Sequence, residues 1–258
     1  MKSGAQSIVL QHEAQIWGVV GGMGPLASAE FLCTVYEEAA GEAEQELPIV
    51  YMVSDPAMPD RTECLISGRE RLLIDRFESD LNKLVMIGAT RIVVCCVTIH
   101  PLICRLPDHL REKIVSLVDL IFDAVCRGPG KHLLFCTEGT RQMRIFQDHP
   151  SWGHAGASIV LPNEADQAAI HSMIYEVKKN KRSAKHLCLV KELMRRYEVT
   201  SFIAGCTEMH MIAKQQARAS GCHPGGFCID PLIDVAAIMS QCPARSQAIE
   251  SPGIRLFL

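Results

Sequence analysis

The sequence predicts an α/β protein built on parallel sheets, and three observations carry that prediction. Short β-branched or apolar runs alternate with amphipathic stretches along most of the chain, the pattern of right-handed βαβ units. The 258 residues suffice for one large domain or two small ones, and 48% hydrophobic against 21% charged residues describes a packed core. One unit also occurs twice, as Arg-Ile-Val-Val-Cys-Cys-Val-Thr-Ile-His over 91–100 and Ser-Phe-Ile-Ala-Gly-Cys-Thr-Glu over 201–208. Each copy brings a cysteine, Cys96 or Cys206, to the carboxyl end of a strand just before helical patterning resumes. That is the crevice where open α/β sheets place ligands.

Residues 16–20 read as a strand, then come Gly21-Gly22-Met23-Gly24-Pro25 and a helix to about residue 40. Glycines permit a tight turn and a close backbone approach, and proline suits a first helical turn. The turn reads either as a plain connection or as an anion cradle. Its spacing is neither G-x-G-x-x-G nor a P-loop. A strand over 48–53 leads into a proline-punctuated loop over 54–62. Arg61 ends that loop, where an arginine is either solvated or placed to clamp a carboxylate. Leu72, Leu73, Phe77, Leu81, Leu84 and Val85 recur at helical spacing and predict a helix over 68–87, stopped by Gly88.

Beyond the Cys96 strand the pattern predicts a helix over 101–112 broken at Pro107, a strand over 114–117 and a helix over 118–126. Arg127-Gly128-Pro129-Gly130 is a turn. A strand over 132–136 enters the polar turn Thr137-Glu138-Gly139-Thr140 and a helix to about 147. A loop over 148–156, a strand over 157–161, a helix over 165–179 and another to about 196 precede the Cys206 unit. A strand over 226–229 and a helix after Asp230-Pro231 close the pattern.

Net charge is −3 with the signs interspersed, so no basic stripe points to nucleic acid. No apolar run reaches the roughly 20 residues of a membrane span. Residues 1–15 lack a basic start and an apolar h-region and read as a loose leader, which places the protein in the cytoplasm with reduced thiols. The 12 cysteines include no C-x-x-C pair, and neither Cys95-Cys96 nor Cys222 with Cys228 has zinc-site spacing, so no metal is expected. Most of them are small core hydrophobes. Cys95 belongs with these, since neighbouring strand residues face opposite sides.

Two thiols facing one carbon can act as base and acid. A thiol pKa near 8.5 is within reach of neutrality, and a helix N-terminus lowers it further. One thiolate removes a proton from a carbon acid while the opposing thiol donates to the other face, which inverts the stereocentre. A cysteine at a strand end, taken alone, is more often buried filler.

The words around the cysteines resemble the cofactor-independent aspartate/glutamate racemase family. Gly21-Gly22-Met23-Gly24-Pro25-Leu26-Ala27-Ser28 is similar to its opening motif, and Pro59-Asp60-Arg61-Thr62 to its next block. Cys96-Val97-Thr98-Ile99-His100 resembles the block of the first catalytic cysteine, and Gly205-Cys206-Thr207-Glu208 that of the second. Thr137-Glu138-Gly139-Thr140, Tyr175-Glu176-Val177-Lys178 and Asp230-Pro231 fall in family order between and after them.

The resemblance implies two similar α/β domains related by a pseudo-two-fold, with the active site in the cleft between them. Residues 16–115 plus 220–245 would form the first domain and 116–219 the second. It implies a homodimer that acts on a small acidic amino acid with no cofactor and no metal. Cys96 and Cys206 carry over as the acid/base pair, and Arg61 and Lys178 as partners of the substrate carboxylates. Thr98, Thr137, Thr207, Val97 and the Gly22-Met23-Gly24 turn carry over as further substrate contacts, and Glu208 and His100 as groups that orient the thiols. The family's asparagine after the first cysteine is Val97 here, which bears on the substrate. The resemblance implies L- and D-aspartate as the substrates. Glutamate, a one-cysteine decarboxylase or isomerase of the same fold, and a non-catalytic homologue that binds an acidic ligand are the alternatives.

Overall fold

The structure is a computed structural model that describes residues 15–39, 43–221 and 223–241. The leader expected over 1–15 lies outside the described residues, apart from Gln15. The first half comprises β1 (Ile16–Gly21), α1 (Pro25–Glu38), β2 (Ile49–Ser54), α2 (Arg61–Ile66), α3 (Glu70–Met86), β3 (Arg91–Val94), α4 (Asp108–Arg111) and β4 (Ile114–Val115). The second comprises α5 (Leu117–Arg127), β5 (His132–Phe135), α6 (Glu138–Gln142), α7 (Trp152–Ala155), β6 (Ile159–Val160), α8 (Glu164–Lys178), α9 (Ala184–Arg196), β7 (Ser201–Ala204), α10 (Glu208–Ser220), β8 (Cys228–Ile229) and α11 (Pro231–Ser240).

The strands form two parallel four-stranded sheets, ordered β2-β1-β3-β4 and β6-β5-β7-β8. The order is the same in both, second-first-third-fourth along the chain. Val19 pairs with Met52 and Val93 in one sheet, and Leu134 pairs with Ile203 in the other. Strands covered on both faces read as continuous apolar runs, which is why β1, β3, β5 and β7 stand out in the sequence. Helix ends follow side-chain chemistry. Ser116 accepts from Asp119 N–H, Asn163 from Asp166 N–H and Asp230 from Leu232 N–H, each capping the helix that follows. An apolar cluster joins the halves, with Trp17 and Phe31 from one and Phe122, Leu134 and Ile203 from the other.

The structure departs from expectation at five places. Residues 61–66 form α2 rather than loop, because Asp60 caps the segment by accepting from Glu63 N–H at 2.9 Å. The helix expected over 101–112 is a 3-10 helix, Val97–Arg105, followed by the short α4. Pro101 lies inside it, where a missing N–H and a bulky ring oppose α-helical bonding. The strand at 114 ends at Val115, since Ser116 opens α5. The helix expected to reach 147 stops at Gln142, before Arg144 turns to φ 51°, and α7 occupies part of the expected loop. Finally, β8 lies in the 220–245 segment expected with the first domain, yet it pairs with β7 in the second sheet. Only α11 beyond it packs back, setting Leu232, Val235 and Met239 in the cluster that holds Phe31 and Val35 of α1.

Candidate active site

Cys96 and Cys206 hold equivalent positions. Each follows the third strand of its sheet, β3 or β7, by two residues. Both are 5% exposed, and no other side chain among Arg61, Thr98, Thr137 and Glu208 exceeds 8%. The site is therefore closed over. Cys95, in contrast, packs in the core between the halves, and burial pushes its thiol far up, as befits filler.

The two thiols have opposite neighbours. The Arg61 guanidinium is close enough to Cys96 for their charges to act on each other. Cys206 Sγ donates to Glu208 Oε2 at 2.8 Å. Burial first, and the Glu208 carboxylate next, push Cys206 well above the ordinary thiol range. The expectation that a helix N-terminus lowers this thiol is thus overturned, because a carboxylate in a buried site outweighs a half-charge of helix dipole. Cys206 is a neutral thiol at pH 7.

Glu208 also explains the glycine turn. A Cβ on Gly24 would stand 2.1 Å from Glu208 Oε1, and Gly24 has φ 140°, so only glycine fits. Oε1 itself is buried without a hydrogen-bond partner. Gly22, at φ 84°, sits against the Asp55 backbone, and its N–H is taken by Ser28 Oγ at 3.2 Å. Met23 is buried and offers its carbonyl to Arg61.

Arg61 is itself 8% exposed, not open in a cleft. Its Nη1 donates to the Met58 and Pro59 carbonyls at 3.3 and 3.0 Å, and Nη2 to Met23 O at 3.1 Å. Nε has no partner. Burial works to lower its pKa, but the Cys96, Asp60 and Glu208 charges outweigh that. Lys178 is half-buried, with Nζ 4.7 Å from the Tyr175 ring centroid. Burial works to lower it as well, and Glu208 with the two cysteines holds it up, so it stays an ammonium facing the same site.

Three threonine hydroxyls meet across the halves. Thr98 Oγ1 lies 3.0 Å from both Thr137 and Thr140 Oγ1, and those two are 3.1 Å apart. Thr207 Oγ1 donates to Cys95 O at 3.2 Å, another bridge between halves. Val97 is 1% exposed and packs in the shared apolar cluster. His100 does not touch a thiol. Its Nε2 accepts from Leu117 N–H at 3.1 Å, so Nδ1 carries the proton and donates to Cys96 O at 2.8 Å. Among the described residues, no group of three His, Cys, Asp or Glu side chains is placed to hold a metal ion, and no helix is long and apolar enough to cross a membrane.

Burial pushes the His100 ring down to about pKa 4 from 6.5. Below pH 6.5 the unfolded chain takes up a proton there that the folded chain refuses until about pH 4, so stability falls as pH drops through that window. Urea unfolding at pH 7 and 4.5 should show the native protein losing about 2–3 kcal/mol more than a His100→Gln variant. Equal losses in the two proteins would mean that His100 does not stay neutral.

Ser28, Asp60, Thr140 and Tyr175 enter the sequence reading only as members of motifs, with no role of their own. Tyr175 OH donates to Asp60 Oδ2 at 2.7 Å, a bridge from α8 to α2 beside Lys178. Burial works to raise Asp60, and the bonds from Glu63 N–H and Tyr175, with the Arg61 and Lys178 charges, hold it low. A signal existed for Asp60, since an acid three residues before Glu63 is the spacing of a helix N-cap. None existed for the others, which acquire their partners only on folding.

A family model described as Asp/Glu/Hydantoin racemase matches residues 20–239. The aspartate racemase of Picrophilus torridus superposes with a TM-score of 0.74 at 23% identity, covering 88% of this chain and 93% of that one. An aspartate racemase homologue from Pyrococcus horikoshii OT3 gives 0.62 at 17%, covering 88% and 99%. Glutamate racemase from Francisella tularensis subsp. tularensis SCHU S4, in complex with D-glutamate, gives 0.55 at 14%, covering 88% and 80%. At these identities the likeness is one of fold.

Proposed function

The chain belongs to the Asp/Glu/hydantoin racemase family, and from that premise we propose that it interconverts L- and D-aspartate with Cys96 and Cys206 as base and acid. The observation that carries this reading is the equivalent placement of two buried thiols with opposite neighbours. In one direction Cys96, near the Arg61 cation, takes the α-proton as thiolate. Cys206, held as a thiol beside Glu208, donates its proton to the opposite face. In the other direction the protonation states are exchanged, with Cys206 as the thiolate that takes the proton and Cys96 as the thiol that donates. The electron pair left at the α-carbon spreads into the α-carboxylate, where a buried cation stabilises it.

Two carboxylates need two cations, and the site has Arg61 and Lys178. Arg61 keeps its unpartnered Nε–H for the substrate, and Lys178 an ammonium free of any side-chain ion pair among the described residues. The threonine triangle and the Gly22-Met23-Gly24 turn line the same region as polar and backbone contacts. Aspartate is favoured over glutamate by the likeness to aspartate racemases. The protein works as a homodimer in the cytoplasm. The edge strand β2, which exposes Ile49 and Tyr51, supports the first statement, and cysteines left free among the described residues suit the second.

Purified protein should racemise L-aspartate without added pyridoxal phosphate or metal, and EDTA and hydroxylamine should leave the rate unchanged. Thiol alkylation should abolish it. Loss to EDTA or hydroxylamine, with survival of alkylation, would overturn the two-thiol reading.

The two cations should respond differently to removal. Arg61→Ala loses three hydrogen bonds from a charged group to buried carbonyls, at about 1.5–3 kcal/mol each, so it should cost at least about 3 kcal/mol of stability besides activity. Lys178→Ala should leave the unfolding midpoint almost unchanged and weaken aspartate use roughly ten- to a hundredfold. Thermal unfolding and kcat/KM measured on both variants check this. A Lys178→Ala protein with undiminished kcat/KM would remove Lys178 from the site.

A further inference from the structure

A second cavity lies at the far side of the second sheet, between the turn after α5, the starts of β5 and β7, and α11. Its volume is about 430 Å³, within the roughly 300–1,000 Å³ of small-molecule sites. None of the residues placed in the two-cysteine site lines it. Arg127 and Asp234 stand on its walls. They act on each other through space, Arg127 working to lower an Asp234 carboxyl that burial raises. Yet neither has a side-chain ion pair or hydrogen bond among the described residues. Opposite charges on one concave wall that do not meet are arranged for a ligand carrying both signs.

The remaining walls suit the same ligand. His132 is 7% exposed, its Nδ1 is bonded to Ser201 Oγ, and its Nε2 has no partner. Thr200 and Ser201 add hydroxyls, and Gly225 and Gly226 complete the lining. Asp230 also reaches the cavity but is already committed, to Leu232 N–H at 3.0 Å and to His210 Nδ1 at 2.7 Å. Asp234 is therefore the acid left for a cation, and Arg127 the base left for a carboxylate.

We propose that this cavity is a second binding site, for a small zwitterion of the α-amino acid class, with its carboxylate on Arg127 and its ammonium on Asp234. Glycine is the probe of choice, since it carries both charges and has no side chain to engage the two-cysteine site. Backbone amide NMR of the full-length protein, titrated with glycine, should show saturable shifts at residues 127–132, 200–201 and 225–234. Arg127→Ala and Asp234→Asn should each weaken that binding roughly ten- to a hundredfold, the loss of one charged hydrogen bond. Arg127 is exposed and Asp234→Asn keeps shape, so both variants should fold. Cys206→Ser should bind glycine as the native protein does, which separates this outcome from any failure of the racemase reading. Acetate and methylamine, each carrying half of the zwitterion, should bind at least tenfold more weakly. Shifts that never saturate, shifts unchanged in either wall variant, or acetate binding as tight as glycine would overturn the proposal.

Discussion

Cys96→Ser and Cys206→Ser, each made alone, should lose aspartate racemisation by roughly a thousandfold or more, and the double variant should be little worse. A serine hydroxyl is too weak an acid to supply the base near neutral pH, and a racemase needs one acid and one base in every turnover. The two variants should differ in what survives. In D2O the remaining thiolate can still exchange the α-proton of one enantiomer without inverting it. Cys206→Ser, which retains Cys96 near Arg61, should exchange one enantiomer, and Cys96→Ser the other. The neighbours predict an inequality between them. Cys96 keeps a cation beside it, whereas burial and the Glu208 carboxylate hold Cys206 protonated, so residual exchange should be faster in Cys206→Ser. NMR of the α-proton for both enantiomers in both variants checks this. The same preference in both, or near-native racemisation in either, would point to a one-cysteine reaction.

Gly24→Ala should be nearly as damaging although it adds only a methyl group. At φ 140° an L-residue is strained, by about 1–3 kcal/mol. The new Cβ also stands 2.1 Å from Glu208 Oε1 and 3.1 Å from its Cδ, so the carboxylate must move. Glu208 is 1% exposed and holds Cys206 through its other oxygen, and it cannot shift without giving up that bond. Activity should fall roughly a hundredfold or more, the worth of a positioned proton-transfer group. Adding Glu208→Asp, with a shorter side chain, should recover part of the stability but not the rate. A double-mutant cycle on unfolding free energy measures the coupling. Additive losses would mean that Gly24 and Glu208 do not meet.

How much of this could be read beforehand follows a physical line. Parallel strands covered on both faces leave an unbroken apolar run, and β3 and β7 were legible together with the cysteines that end them. The class of fold followed from the same runs. Helix α2 was not read, because Pro56 and Pro59 mark a loop more loudly than the cap at Asp60 marks a start. Arg61 was read at the end of that loop, solvated or clamping a carboxylate, for the same reason. A charged residue usually seeks water, and nothing local announces three backbone carbonyls waiting for it. The pairing of Glu208 with Gly24, and of Thr98 with Thr140, lies between residues far apart in the chain, where periodicity carries no information. The lowering of the Cys206 pKa expected from helix placement is reversed by burial and by Glu208, two residues away in sequence but decisive only once both are buried.

The identical strand order of the two sheets has a consequence in detailed balance. Free L- and D-aspartate are mirror images of equal energy, so their equilibrium constant is one. Any catalyst of their exchange must therefore have the same kcat/KM in both directions, whatever its own handedness. A folded chain of L-residues is never its own mirror image, but a unit built twice and turned to face itself offers each enantiomer a comparable wall. The differences that remain, a guanidinium at one thiol and a carboxylate at the other, cannot enter that ratio. They are confined to how kcat and KM trade against each other, and so to which enantiomer the enzyme holds longer.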